Sequence, residues 1–387
     1  MRARRRRNLS PVRRGLAKSI FKTMSLHMAK DKIRYAVVGA GNIAQVAMLP
    51  AFAHAKENST LTALVSSDPQ KRKQLSKKYG IEIAVDYHEY ERVLAEVDAV
   101  YIALPNHLHR EYTERAAERG VHVLCEKPMA ISEEDCSEMI ACAQSSAVKL
   151  MIAYRLHFEE ANLTTIDLIK KGTIGEPRIF SSTFSQTARP GDIRQRSETG
   201  GGALYDMGVY CINAARYLFR AEPISVQGVM LENGDVDQIT TATLRFPGDR
   251  VAQLTASQNA ADISEYRIIG ETGDIRLDPA YGYSAERTQF VTVREKTKKR
   301  VFKKCDQFAP QLIYFSRCIL DDVQPEPSGE EGLADVRIIT AIIESAKSGR
   351  AVELAPFDRA ERPDLSQLIH KPAIDKPQTI HAPSPSL

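Results

Sequence analysis

Runs of apolar residues alternate with stretches of helical period through the first half of the chain. Ile33-Arg-Tyr-Ala-Val-Val38 reads as a short buried strand, followed at once by Gly39-Ala-Gly-Asn-Ile-Ala44. Residues 43–56 carry helical periodicity that Pro50 interrupts. Leu61-Thr-Ala-Leu-Val65 is a second strand ending at Ser66-Ser-Asp-Pro69, and a helix rich in Lys, Arg and Gln runs from there to Tyr79-Gly80. Asp98–Leu104 is another buried strand, closed by Pro105-Asn106, and the helix over 108–119 stops at Gly120, a residue suited to a C-cap. Val121–Cys125, a helix over 132–146 and Lys149–Ala153 complete this half. Strands alternating with helices predict a parallel, doubly wound α/β sheet with its ligand crevice at the carboxyl ends of the strands.

The pattern changes after about residue 175. Arg178–Thr187, Ile224–Met230, Gln238–Phe246, Arg250–Asn259 and Tyr266–Leu277 read as strands of a large, mostly antiparallel open sheet. Thr240, Ala242, Leu244 and Phe246 alternate with more polar neighbours, and Pro247-Gly-Asp249 supplies a tight turn, so one face is covered and the other more polar. A helix over 330–348 ends at Gly349. The expected division is a basic flexible tail (1–30), the doubly wound domain (31–155), an α+β domain (156–355) and a partly ordered tail (356–387).

Composition narrows the class. With 387 residues, 43% hydrophobic and 26% charged, the chain has enough apolar material for cores, which excludes dominant disorder. No run approaches the roughly 18 uninterrupted apolar residues of a membrane span. The net charge of +4 misleads, because residues 1–30 hold ten Lys or Arg and no acid, leaving 43 basic and 49 acidic groups in the rest. The body is therefore no nucleic-acid binder. The tail lacks the apolar core of a secretory signal; an organellar presequence, a nucleic-acid arm, a solvated arm or an upstream start before Met24 or Met28 remain open. The cytoplasm is the expected location. Six cysteines without a CxxC pair point to reduced, packed thiols.

Gly39-x-Gly41-x-x-Ala44 follows a strand and opens a helix. Gly39 permits the tight turn, Gly41 lets the backbone approach a pyrophosphate, and Ala44 allows close packing of helix and strand, with Asn42 and Ile43 lining the turn. At the end of the second strand, where NAD sites place an acid, the chain offers Ser66 and Ser67 with Lys71 and Arg72 beyond. Hydroxyls and cations suit a 2′-phosphate, so NADP is the expected cofactor, although Asp68 could mimic the NAD acid. Glu126-Lys-Pro128 closes a strand at the edge where the nicotinamide would lie, and desolvation there would lower the pKa of Lys127. In Gly200-Gly-Gly-Ala-Leu-Tyr-Asp206-Met-Gly-Val-Tyr210, Asp206 and Tyr210 stand at i and i+4 beside three glycines that would let a ligand come close. His107 and His109 lack further ligands for a metal site, and Asp235 and Asp237 look like loop acids.

Taken together, GAGNIA (39–44), ALPNHLH (103–109), CEKPMA (125–130), MIAYR (151–155), GGGALYDMGVYCIN (200–213) and GEEGLADVRIITAI (329–342) resemble the Gfo/Idh/MocA family of glucose–fructose oxidoreductase and inositol dehydrogenase. Tyr at 210 and the Ser66/Lys71 pair resemble the glucose–fructose oxidoreductase branch. The resemblance implies a Rossmann domain followed by a domain whose open sheet forms a homodimer or homotetramer face. It implies that Lys127, preceding a cis peptide bond to Pro128, orients substrate and handles protons, that Tyr210 is the acid/base and that Asp206 binds a hydroxyl. Leu104, Pro105, Asn106 and His109 would border the cofactor, Glu126 the nicotinamide ribose, and Arg155 the site wall. The expected activity is NADP-dependent oxidation of a sugar at C1 to a lactone, with an aldose or trans-dihydrodiol dehydrogenase and a non-catalytic sensor as alternatives. Arg194, Arg196 and Tyr283 are expected to select the sugar. The basic tail does not align with the N-terminal arm of relatives that hold NADP permanently.

Overall fold

The computed structural model describes residues 31–359 and 361–386, so the basic tail lies outside the described residues. The first half forms a six-stranded sheet with all neighbours parallel, in the order β3-β2-β1-β4-β5-β6. The strands are β1 (Ile33–Val38), β2 (Ser59–Val65), β3 (Ile83–Val85), β4 (Ala99–Ile102), β5 (His122–Cys125) and β6 (Leu150–Ile152). The order reverses between β1 and β4, which opens a crevice beyond their carboxyl ends. Helices α1 (Pro69–Tyr79), α2 (His109–Ala117) and α3 (Glu133–Ser145) form within this half. Asp68 caps α1 by accepting from the amides of Gln70 and Lys71, Gly80 ends it in the left-handed region, and Ser132 caps α3.

The helix expected after β1 is not regular. Ala44–Met48 forms a single π-turn, followed by a short turn over Leu49–Ala51 with Pro50 near its start. Helical backbone runs unbroken over 42–51, and the π-turn lies directly before Pro50, so the hydrogen-bond register shifts where the proline lacks an N–H.

The second sheet has nine strands in the order β14-β13-β12-β11-β7-β10-β9-β8-β15, antiparallel apart from the β7–β10 pair. These are β7 (Pro177–Thr187), β8 (Ser225–Asn233), β9 (Val236–Phe246), β10 (Arg250–Ser257), β11 (Asn259–Gly270), β12 (Gly273–Asp278), β13 (Arg287–Val293), β14 (Lys296–Phe302) and β15 (Val352–Glu353). The stretch read as one strand over Tyr266–Leu277 is two, turning at Glu271-Thr272. The β13–β14 hairpin went unread because β14, Lys-Thr-Lys-Lys-Arg-Val-Phe, is an exposed edge strand. Lysines on an edge oppose pairing with another chain and erase the apolar alternation that marks a strand.

Four further helices, α4 (Glu160–Lys170), α5 (Val209–Phe219), α6 (Ala309–Leu320) and α7 (Gly329–Ser348), follow β6 in the chain. Of these, α6 returns to the first sheet, where Leu312, Ile313 and Phe315 join the apolar cluster of Tyr35, Leu64 and Tyr101. The buried Arg216 of α5 reaches Glu331 at 2.7 Å and Asp335 at 2.6 Å on α7 and Glu222 at 2.6 Å, fixing α5 against α7 from within. Val229, Leu231 and Val301 remain exposed on the second sheet. Among the described residues no helix is long and apolar enough to cross a membrane.

Candidate active site

A cavity of about 860 Å³ runs from the β1 turn across the sheet switch point to α5. At its nucleotide end Gly39 adopts φ +97°, and its amide donates to the Val65 carbonyl at 3.0 Å. A Cβ at 39 would lie 2.4 Å from the Ala103 carbonyl oxygen, so only glycine closes this turn, whereas a Cβ at 41 would meet nothing within 4 Å. Gly41, Asn42 and Ile43 face the cavity with Ser66, Ser67, Asp68 and Lys71 opposite. Lys71 is half-buried, and loss of water holds its pKa below the usual lysine value. Arg72 is committed elsewhere: it donates to the Ser66 carbonyl at 2.5 Å and to Asp86 at 3.0 Å. Open space over Gly41, backed by a lysine and two serines, fits the phosphates of a dinucleotide.

Leu104, Pro105 and Asn106 follow β4 along the cavity wall, and the Asn106 amide donates to the Gly200 carbonyl at 2.7 Å, tying the two halves together. Beyond β5, Glu126 accepts from the Tyr101 hydroxyl at 2.5 Å, and burial holds its carboxyl above the ordinary range. The Lys127–Pro128 bond is cis. The Lys127 ammonium donates to the Asp206 carbonyl at 2.9 Å and to Asp206 Oδ1 at 3.2 Å, and lies 4.5 Å from the centre of the Tyr210 ring. Arg194 donates from Nε to the other oxygen, Asp206 Oδ2, at 2.8 Å. Burial would raise the pKa of Asp206, but Arg194 and Lys127 outweigh it and bring the carboxyl down to about 2.

The expected lowering of the Lys127 pKa is overturned. Burial does act in that direction, but Tyr210 and the carboxylates of Asp206 and Glu126 outweigh it, and the ammonium is held above the usual lysine value. Arg155 is buried and stacks its guanidinium 5.0 Å from the Tyr210 ring centre and 5.4 Å from that of Tyr283, while donating to Gln307 and to the Tyr281 carbonyl. Asp206 sits in a second π-turn, Leu204–Gly208, that opens α5. Such turns recur at functional sites because they displace side chains from helical register. Asp206 therefore reaches the cavity from the widened turn and Tyr210 from the first turn of α5, rather than both from one regular i, i+4 helix face.

Several residues named from sequence stand outside this cavity or serve it indirectly. His109 is fully buried, does not line the cavity and contacts the Pro128, Met129 and Leu104 carbonyls at 3.0, 3.3 and 3.0 Å. It braces the turn that presents Lys127, where a cofactor contact was expected. Gly200 and Gly201 do line the cavity, but all three glycines also answer to chain packing: a Cβ at 200 would meet Ile131 at 2.5 Å, at 201 the Arg194 carbonyl at 2.4 Å, and at 202 Asp237 at 2.1 Å. Asp237 is no loop acid but is buried in β9, accepting from the Leu204 amide at 2.9 Å and the Thr240 hydroxyl at 2.6 Å. Arg194 and Tyr283 line the cavity, whereas Arg196 is exposed beside Glu198.

The C-terminal segment, expected to be only partly ordered, was also missed as a wall of the site. Lys376, Ser384, Pro385 and Ser386 border the cavity. No periodicity marks them, because the segment is extended and bonds through its backbone.

A doubly wound parallel sheet with a Gly-x-Gly turn at its switch point, opening onto a lysine–aspartate–tyrosine cluster, defines a dinucleotide-binding oxidoreductase. The family described as an oxidoreductase family with an NAD-binding Rossmann fold matches residues 33–154, and the GFO/IDH/MocA C-terminal domain matches residues 163–276. The chain belongs to the GFO/IDH/MocA oxidoreductase family. It is 34% identical over 338 residues to a D-xylose 1-dehydrogenase (NADP⁺) of Haloarcula marismortui, covering 84% of this chain and 94% of that one. The structure of an aldose-aldose oxidoreductase from Caulobacter crescentus complexed with glycerol superposes with a TM-score of 0.80 at 36% identity, covering 84% of this chain and all of the other. A 3-ketoreductase from Actinomadura kijaniata in complex with NADP and TDP-benzene superposes with a TM-score of 0.76 at 29% identity, covering 81% and 98%.

Proposed function

We propose that this protein is an NADP-dependent oxidoreductase of sugar CH–OH groups that oxidises an aldose at C1 to its lactone and passes the reducing equivalents to a second sugar. The observation that carries this reading is the Lys127 ammonium, held between Asp206 and the Tyr210 ring in the same cavity as the Gly39–Gly41 turn. The named activities of the similar proteins, xylose dehydrogenation with NADP⁺ and aldose–aldose oxidoreduction, support the substrate class and the cofactor.

Gly41, Asn42, Ser66 and Lys71 would hold the phosphates, Leu104, Pro105 and Asn106 the wall of the cleft, and Glu126 the nicotinamide side. When bound, NADP supplies the acceptor for the hydride that leaves the sugar carbon. Tyr210 takes the proton of the reacting hydroxyl and returns it when the second sugar is reduced. Lys127 stays charged and donates to the same oxygen, attracting the negative charge that develops there as the proton departs. Asp206 accepts from a neighbouring sugar hydroxyl and, with Arg194, fixes the Lys127 ammonium. Arg155 stacks on Tyr210 and limits its rotation. The exposed apolar residues of the second sheet, Val229, Leu231 and Val301, are the face through which we propose two copies associate.

Absorbance of the purified protein in the reduced-nicotinamide band tests the reaction. Absorbance that appears with an aldose and disappears on adding a second aldose or a ketose supports the coupled cycle. Oxidation only in the presence of added NADP⁺ would leave a simple dehydrogenase, and no response to any aldose or ketose would sink the reading.

A further inference from the structure

After β15 the chain returns to the first sheet and crosses the mouth of the cavity. Ile374 and Ile380 pack against the apolar cluster of the nucleotide-binding half. Ile380 exchanges two hydrogen bonds with the buried Gln45, donating to Oε1 at 2.8 Å and accepting from Nε2 at 2.9 Å. The Asn42 amide donates to the Ala382 and Pro383 carbonyls, both at 3.0 Å. His381 Nδ1 meets Asp68 Oδ2 at 2.7 Å. On the far bank, Arg189 donates to the Pro385 carbonyl from its amide at 2.8 Å and to the Ser384 carbonyl from Nε at 2.9 Å, and Ser386 bridges to Ala188. The segment thus joins the nucleotide turn to the end of β7 and walls the cavity without filling it. The 860 Å³ that remain lie within the roughly 300–1,000 Å³ usual for ligand sites.

The placement of the anchors is chemically specific. Two of them, Asn42 and Asp68, belong to the loops that meet a dinucleotide at its pyrophosphate and its adenosine ribose. Asp68 is the carboxylate that lines the cavity beside Ser66 and Ser67, and both its oxygens are engaged, Oδ1 by the amides of Gln70 and Lys71 and Oδ2 by His381. A ribose 2′-hydroxyl would compete with these partners for the acid, whereas a 2′-phosphate would meet Lys71 and the serines and need no contact with Asp68.

We propose that residues 376–386 form a strap that completes the nucleotide site: it retains the dinucleotide through successive turnovers, and its His381 occupies Asp68 so that a 2′-phosphorylated nucleotide is preferred. This rests on the dinucleotide reading above and extends it. Retention is what a cycle between two sugars requires, since the reduced cofactor must outlast exchange of the first product for the second substrate.

The test is direct binding of NADPH and NADH, followed by nicotinamide fluorescence in the absence of sugar. Three proteins are compared: the intact chain, a chain ending at Ile374, and the double substitution Arg189→Ala/His381→Ala, which removes two side-chain anchors of the strap, one on each bank, while keeping the full chain. The strap predicts NADPH dissociation at least about tenfold faster in both altered proteins, the loss of two or more net hydrogen bonds. It also predicts a preference for NADPH over NADH reduced by about two- to fivefold when His381 is lost, as for one exposed hydrogen bond. Unchanged dissociation in the double variant, or tighter binding after truncation, which would make the strap a competitor, overturns the proposal and leaves the oxidoreductase reading standing. Binding of neither nucleotide by the intact chain overturns both.

Discussion

The ammonium of Lys127 donates to both the main-chain carbonyl and Oδ1 of Asp206, a residue 79 positions later in the chain. One residue ends a strand of the parallel sheet and the other opens a helix of the second domain. The cluster therefore exists only when the two halves are docked, and its charge state is set by that docking.

Lys127→Met removes the donor while keeping a side chain of similar length. Turnover should fall by about 10²–10⁴-fold, the usual contribution of a proton-handling group, while NADPH binding by fluorescence stays within a few-fold. Full turnover in this variant would remove Lys127 from the mechanism.

Tyr210→Phe deletes one oxygen and keeps the ring. Its contacts to Phe184, at 5.6 Å between ring centres, and to Tyr281, at 6.0 Å, should survive. The expected result is a thermal midpoint close to that of the parent with kcat lowered by about 10²-fold or more and KM nearly unchanged. A change in KM alone would make the phenol a binding group.

The pH dependence of Asp206 follows from its low pKa. A carboxyl brought from the ordinary 3.8 to about 2 by Arg194 and Lys127 binds its proton less readily folded than unfolded. It contributes stability that is complete above pH ~5 and is lost as pH falls toward 2, amounting to about 2 kcal/mol. Urea midpoints of the parent and Asp206→Asn should differ at pH 7 and converge near pH 2–3. A constant difference across that range would show that the ion pairs do not set the stability. Asp206 also stays ionised through pH 4–8, so it should add no limb to the rate profile in that window.

Gly39 and Gly41 should respond differently to alanine. Gly39→Ala forces a Cβ to within 2.4 Å of a carbonyl oxygen at φ +97° and should destabilise the fold by several kcal/mol, on the order of a buried clash plus backbone strain. Gly41→Ala meets open space and should keep the thermal midpoint while weakening NADPH binding about tenfold or more. Calorimetry beside nucleotide titration separates the two; equal loss of stability in both would deny Gly41 its role.

Arg216→Met leaves Glu222, Glu331 and Asp335 facing one another without their shared cation. A buried pair broken by removing one partner costs about 3–5 kcal/mol, and because α5 carries Tyr210, activity should fall with the stability. A urea midpoint unchanged from the parent would show that apolar packing alone seats α5.

The parallel sheet was legible because buried parallel strands are nearly continuous apolar runs with glycine and proline at their ends, as at Ile33–Val38 and Asp98–Pro105. The Gly39–Gly41 turn, Lys127, Asp206 and Tyr210 could be named because each lies in a short motif at an element boundary. The Lys-rich β14, helix α6, the role of Asp237 and the bracing role of His109 were hidden, since each depends on a neighbour distant in the chain.

The sequence by itself determined the alternating strands and helices of the first half, the glycine turn and the polar side chains that stand at element boundaries, because period, steric freedom and side-chain chemistry are local properties. Tertiary structure alone decided that Lys127 is held as an ammonium, that three consecutive glycines are also required by close packing, and that an aperiodic C-terminal segment walls the nucleotide cleft. Charge state, close approach and backbone bonding between remote segments arise from distances that only the folded chain sets.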